Sequence, residues 1–213
     1  IRGVYFSIVT LAFAEILYRA VNYSSKITGG SDGLFGFSIP SIRFPGIPAI
    51  PLSNQRNLFY FSAALLIVSY LVCRKILSSP FGLTLQAIRE NERKVRSMGY
   101  NVEGYKVTAF ALSAFFATLS GAVFTLVTGF ASLDLLYFMM SGQVLIMVMV
   151  GGMGTLIGPI IGAFFITILG ETTSSYFHQG YLIIIGISLV GVVLFLPAGL
   201  ASLWRKRVKV SAV

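Results

Sequence analysis

Side chains able to do chemistry are few in this 213-residue chain, which holds seven carboxylates, one histidine and one cysteine. His178 has no carboxylate or cysteine partnered with it in sequence, so neither an acid–base pair nor a metal cluster is suggested there. Cys73 is alone; no intramolecular disulfide can form, and it reads as a small apolar residue at the inner end of a span. The phosphate-cradling pattern G-x-x-x-x-G-K-[ST] does not occur, and Gly151 to Gly158 misses G-x-G-x-x-G because Ile157 stands at the last glycine position. The chain is therefore read as not an enzyme, with no metal and no cofactor of its own.

What remains is charge and backbone geometry inside an apolar sequence. Glu15 and Arg19 lie four apart on an apolar run and face one side of a helix. They form either a satisfied internal ion pair or part of a wet translocation path, where charge need not be fully desolvated. Glu171, in a later apolar run, suits the mouth of the same path. Thr28-Gly29-Gly30-Ser31-Asp32-Gly33 reads as a tight turn; Gly29 and Gly30 could expose backbone donors to a carboxylate, or simply set the loop. Asp134 reads as a loop residue.

Charge is concentrated in one island, Pro80 to Lys106, which carries three acidic and five basic residues. A central charge in hydrocarbon costs roughly 2.5–3.5 kcal/mol on insertion scales, so the island stands in water. It reads as a helix over 80–99. Ser79 suits the N-cap and Pro80 the first helical position, while Gly99 suits a left-handed terminator. Glu90 with Lys94 and Glu92 with Arg96 are spaced as i,i+4 pairs, and Leu85, Ile88, Val95 and Met98 make a narrow apolar stripe. So short a helix is marginal alone. It is either a surface connector or a dock for another protein.

The elements that hold these groups are membrane helices. Hydrophobic residues make up 56% of the chain and charged residues 11%, with mean hydropathy +0.85; soluble domains carry about 25% charge. Val4–Ala20, Asn57–Cys73 and Val107–Val127 read as spans, separated by the Pro- and Gly-rich loop Val21–Arg56 and by the island. Leu135 to Gly170 has no charge across 36 residues. One helix of that length would reach about 54 Å, against a hydrocarbon core of about 30 Å, so it must fold back. Gly151, Gly152, Gly154, Gly158 and Pro159 mark the turn, giving spans Phe138–Val150 and Ile160–Tyr176, or one span and a re-entrant turn. Tyr181–Leu196 closes the set. The fold class is an all-α integral membrane protein of about six membrane elements, with a Gly-rich hairpin or re-entrant turn and a cytoplasmic helix.

The net charge of +9 fits this topology better than nucleic acid. Twelve of the sixteen basic residues fall in segments assigned inside, namely Arg2, Arg74–Lys106 and Arg205–Lys209. Both termini are then inside and the 21–56 loop outside, and the basic tail meets anionic membrane lipids at about 1 kcal/mol per residue. Ala109, Ser113, Ala117 and Gly121 form a small-residue ridge for helix packing, within this subunit or against a partner membrane subunit.

Several segments, in order, resemble a known family. They are Tyr5–Glu15, Thr28–Leu34, Gly82–Glu92, Gly99–Asn101 with Tyr105-Lys106, Ala109–Ala122, Gly151–Pro159 and Phe195–Leu200. Together they resemble branched-chain amino acid ABC transporter permeases, most closely the LivM-like branch of the LivH/LivM family. The resemblance implies a single permease domain over 1–213, in a bacterial or archaeal plasma (inner) membrane, multi-pass. It implies that Leu85, Ala87, Ile88, Arg89, Glu90, Asn91, Glu92 and Arg93 couple to ATPase subunits. Implied partners are a second, LivH-like permease, two ABC ATPases carrying ATP and magnesium, and a periplasmic or lipid-anchored substrate-binding protein. Family members usually carry further N-terminal spans, so some are expected to be missing before Ile1. The rival readings are a urea or short-amide permease of the same superfamily, a self-sufficient channel or secondary carrier, and a non-transporting scaffold.

Overall fold

The computed structural model describes residues 4–36, 41–42, 50–176, 186 and 199–200. Its elements are helices α1 (Val4–Tyr23), α2 (Ser25–Thr28), α3 (Gln55–Ser78), α4 (Pro80–Ser97), α5 (Val102–Thr128), α6 (Phe138–Gly151) and α7 (Gly158–Tyr176), with four two-residue strands. The chain divides into two compact units, residues 20–135 and residues 1–19 with 136–213.

Among the described residues three helices, α1, α3 and α5, are long and apolar enough to cross a membrane. α3 and α5 begin ahead of the expected spans, Asn57–Cys73 and Val107–Val127, because an asparagine caps each start. Asn54 accepts a hydrogen bond from the Arg56 amide at 3.2 Å, starting α3. Asn101 accepts from the Gly104 amide at 3.1 Å, starting α5. Such caps contribute about 1 kcal/mol each. The six-element topology is only partly visible, since His178 and, apart from Gly186, all of Tyr181–Leu196 lie outside the described residues.

The 21–56 segment is not wholly irregular as expected. α2 and a 3-10 turn, Gly30–Asp32, follow α1. Strand β1 (Leu34–Phe35) then pairs antiparallel with β4 (Phe130–Ala131), and β2 (Ser41–Ile42) with β3 (Ile50–Pro51). These strand pairs qualify the all-α reading, although helices still dominate. β1–β4 fixes the turn near Gly33 against the end of α5.

In the 20–135 unit, Ile88, Val95 and Val102 form the buried core between α4 and α5, with Leu85 and Tyr105 packed on it. Phe81 stacks on Tyr105 with ring centroids 5.4 Å apart. Met98 does not continue the inward stripe; it is 66% exposed, because the helix ends at Ser97 and the chain turns at Gly99, φ +88°. Among the described residues the small ridge of α5 finds no packing at its centre: Ser113 and Ala117 are exposed, and a Cβ on Gly121 would meet open space.

In the other unit α6 and α7 pack backbone to backbone. Side chains built on Gly151, Gly158 and Gly162 would collide with the carbonyl oxygens of Gly158, Gly152 and Met147 respectively. Gly154, counted among the turn glycines, contributes no such approach. Thr155 organises the turn instead: its Oγ1 accepts from the Gly158 amide at 3.0 Å, capping α7, and Pro159 follows where no backbone donor is needed. Leu200 closes the arrangement, its amide donating to the Val150 carbonyl at 2.9 Å.

Candidate functional site

The candidate site is the water-exposed surface of α4, between α3 and α5. Ser79 shapes its start, accepting from the Gly82 amide at 3.3 Å and donating to the Ile76 carbonyl at 2.6 Å. Gly82 is buried there, and any side chain on it would strike the carbonyls of Ile76 and Leu77. α4 therefore leaves α3 at a fixed angle.

α4 is not one continuous helix. Asn91 has φ −153° and ψ 91°, well outside helical values. Its Oδ1 accepts from the Lys94 amide at 3.1 Å, so Asn91 ends one segment and caps the next. Glu92 then stands in the first turn of the second segment, where a carboxylate favours the helix dipole. An asparagine followed by a glutamate inside a helical pattern is the signal that sequence reading passed over.

The break sorts the expected coupling residues into two sets. Ala87, Arg89, Glu90, Asn91 and Arg93 are exposed. Ile88 is buried, and Leu85 packs on the same core. Glu92 also turns toward α5: Lys106 Nζ donates to its Oε2 at 2.7 Å and Arg96 Nη2 to its Oε1 at 3.2 Å. Arg96 further pairs with Glu103. Leu83, absent from the expected set, is 59% exposed on the same helix as Arg89 and Glu90. Its signal was available in the spacing, since an inward stripe through Leu85 and Ile88 leaves Leu83 and Ala87 pointing elsewhere.

Of the residues assigned to a path, Glu15 and Arg19 meet as expected. Arg19 Nε donates to Glu15 Oε1 at 2.8 Å, with the glutamate side chain 37% and the arginine 77% exposed. Glu171 is exposed on α7, one residue before Thr172, whose hydroxyl bonds back to the Ile168 carbonyl at 2.7 Å. Gly29 and Gly30 lie in the other unit and use their amides locally. Gly29 donates to the Ser25 carbonyl at 3.0 Å, and Gly30 to Thr28 Oγ1 at 3.3 Å. That hydroxyl donates in turn to the Val21 carbonyl at 2.7 Å. The left-handed backbone of Gly29, φ +73°, lets the turn close against Gly33. Among the described residues no three His, Cys, Asp or Glu side chains cluster to hold a metal.

Comparison with known proteins bears on what such a surface is for. The family model described as branched-chain amino acid transport system / permease component matches residues 1–196. The high-affinity branched-chain amino acid transport system permease protein LivM of Escherichia coli (strain K12) is 31% identical, over 98% of this chain and 53% of that protein. The protein of the same name from Salmonella typhimurium is 30% identical, over 100% of this chain and 54% of its own length. A probable branched-chain amino acid transport permease protein LivM of Methanocaldococcus jannaschii is 26% identical, over 74% of this chain and 44% of its own. The chain thus spans about half the length of the curated relatives it matches. No solved structure gives a significant match.

Proposed function

We propose, from the premise that this chain belongs to the family of branched-chain amino acid transport system permease components, that it is the membrane-spanning part of an ATP-driven importer for leucine, isoleucine and valine. The observation that carries this reading is α4: a charged helix, set between two membrane-length helices, whose exposed side presents Leu83, Ala87, Arg89, Glu90 and Arg93. A helix so polar does not enter hydrocarbon, and a short helix with an outward apolar knob amid charges suits a protein groove. The partners are a second permease, two ATPase subunits that bind ATP and magnesium, and a substrate-binding protein outside, all at a prokaryotic inner membrane.

In this reading the chain is one permease domain of about six membrane elements. α6 and α7 form the glycine-lined hairpin, and residues 80–99 the cytoplasmic coupling helix. ATP-driven closure of the ATPases displaces α4, and the pathway switches between outward-open and inward-open states, an equilibrium biased by ligand. Glu15, Arg19 and Glu171 contribute to that pathway, and Gly29 and Gly30 set the outer loop.

The test is uptake of labelled leucine into proteoliposomes holding the full complex and its binding protein. Uptake should need ATP and should be competed by isoleucine and valine. Uptake without nucleotide would replace the importer with a channel or carrier. Competition by urea rather than by branched-chain amino acids would move the substrate class to short amides.

A further inference from the structure

We propose that Lys106, Glu92, Arg96 and Glu103 form an internal strut that positions the second segment of α4 on the base of α5, and that Glu92 is no part of the face offered to an ATPase. The proposal rests on reading α4 as the ATPase dock. Along the strut the charges alternate: Lys106 to Glu92 at 2.7 Å, Glu92 to Arg96 at 3.2 Å, and Arg96 to Glu103. Glu92 is the least exposed of the four, at 30%, against 46% for Arg96, 50% for Lys106 and 67% for Glu103. Its carboxylate reaches Lys106 on α5, whereas Arg89 and Arg93 are exposed.

The need for a strut follows from the Asn91 break. The first segment reaches α5 through its own apolar contacts, Ile88 in the core and Phe81 on Tyr105. Beyond Asn91, only residues 92–97 remain helical, far fewer than an independent helix requires. Val95 gives that segment one apolar anchor, packed with Val102. One anchor leaves rotation about it; two ion pairs to Glu103 and Lys106, on successive turns of α5, remove that freedom. A displacement imposed on the outer face then arrives at the base of α5 instead of being absorbed at the break. Because the pairs are partly exposed, each is weak and screened by salt. The effect should therefore be modest and ionic-strength dependent.

The experiment uses the complete transport complex in proteoliposomes, with two readouts: ATPase subunits retained by the tagged permease, and leucine moved per ATP hydrolysed. Glu92→Gln and Lys106→Gln should retain the ATPases at wild-type levels yet lower leucine per ATP about two- to fivefold, the scale of exposed ion pairs. The double variant should be no worse than the lower single, Lys106→Arg should restore coupling, and raised salt should reproduce the loss in the wild type. Reversing the outer charges, Arg89→Glu with Arg93→Glu, should instead reduce retention. Loss of retention in Glu92→Gln, or unchanged leucine per ATP in both single variants, overturns the strut. If the Arg89/Arg93 reversal leaves retention and transport at wild-type levels, the docking reading itself fails and takes the strut with it.

Discussion

Replacing Gly162 by alanine should wedge α6 from α7, while the same change at Gly170, two turns along the same helix, should not. A Cβ on Gly162 would overlap the Met147 carbonyl oxygen and lie 2.8 Å from the Gly151 nitrogen and 3.0 Å from its Cα, whereas one on Gly170 meets nothing within 4 Å. Ordinary van der Waals contact begins near 3.4 Å, and every close neighbour is backbone, so no side chain can swing aside. Overpacking of this kind costs about 1–3 kcal/mol, and the helix-propensity gain of about 1 kcal/mol for Gly→Ala is common to both variants. The difference between them should be about 2 kcal/mol, which raises the opened population roughly thirtyfold at about 1.4 kcal/mol per decade. Val150 offers the probe, since it is fully buried at the contact. In a Cys73→Ser background carrying Val150→Cys, thiol labelling in detergent should run tens of times faster with Gly162→Ala than with Gly170→Ala. Rates within threefold of one another would refute the backbone contact between α6 and α7.

Three further outcomes follow from α4. Ser79→Ala removes a cap and should cost about 1 kcal/mol, seen as faster proteolysis between Ser79 and Ser97 in inverted vesicles. Ile88→Ala should cost about 2–5 kcal/mol as a core truncation and lower the amount of folded protein; Leu83→Ala, on the exposed side, should leave stability within about 0.5 kcal/mol but reduce ATPase retention. A cysteine at Ser97 should be shielded from an impermeant thiol reagent added outside and labelled in inverted vesicles; the opposite pattern would invert the topology and move the dock to the wrong side.

Local rules carried much of the fold. Ser79 and Pro80 start α4, Gly99 ends its turn, and Glu15 meets Arg19, because each depends on neighbours within one helical turn. Contacts that join distant residues were not legible. Glu92 with Arg96 was readable as an i,i+4 pair, but its second partner, Lys106, lies fourteen residues on and belongs to another helix. That single contact turns Glu92 inward and separates it from Arg89 and Arg93, with which the linear motif groups it. The glycine turn shows the same limit. Five positions were marked by composition, but only the packing of α6 on α7 distinguishes Gly151 and Gly158, which have no room for a side chain, from Gly154, which has ample room. Asn91 was legible in principle: its type and the following Glu92 are a capping signal, masked by the regular charge spacing on either side.

The bond from Leu200 to Val150 also sets an order on biosynthesis. Val150 is among the last carbonyls of α6, a class that helix geometry leaves without an internal partner, and in a bilayer an orphaned carbonyl is costly. Its donor is fifty residues downstream. As the chain emerges from the ribosome, α6 and α7 can pair early, but the junction between them stays chemically open until residue 200 has been made and delivered to it. The α6–α7 pair should therefore remain sensitive to proteases and to chaperone capture through that interval, and a ribosome stalled short of Gly199 should hold it in the open form. Completion of the α6–α7 junction is timed by a residue fifty positions further along the chain.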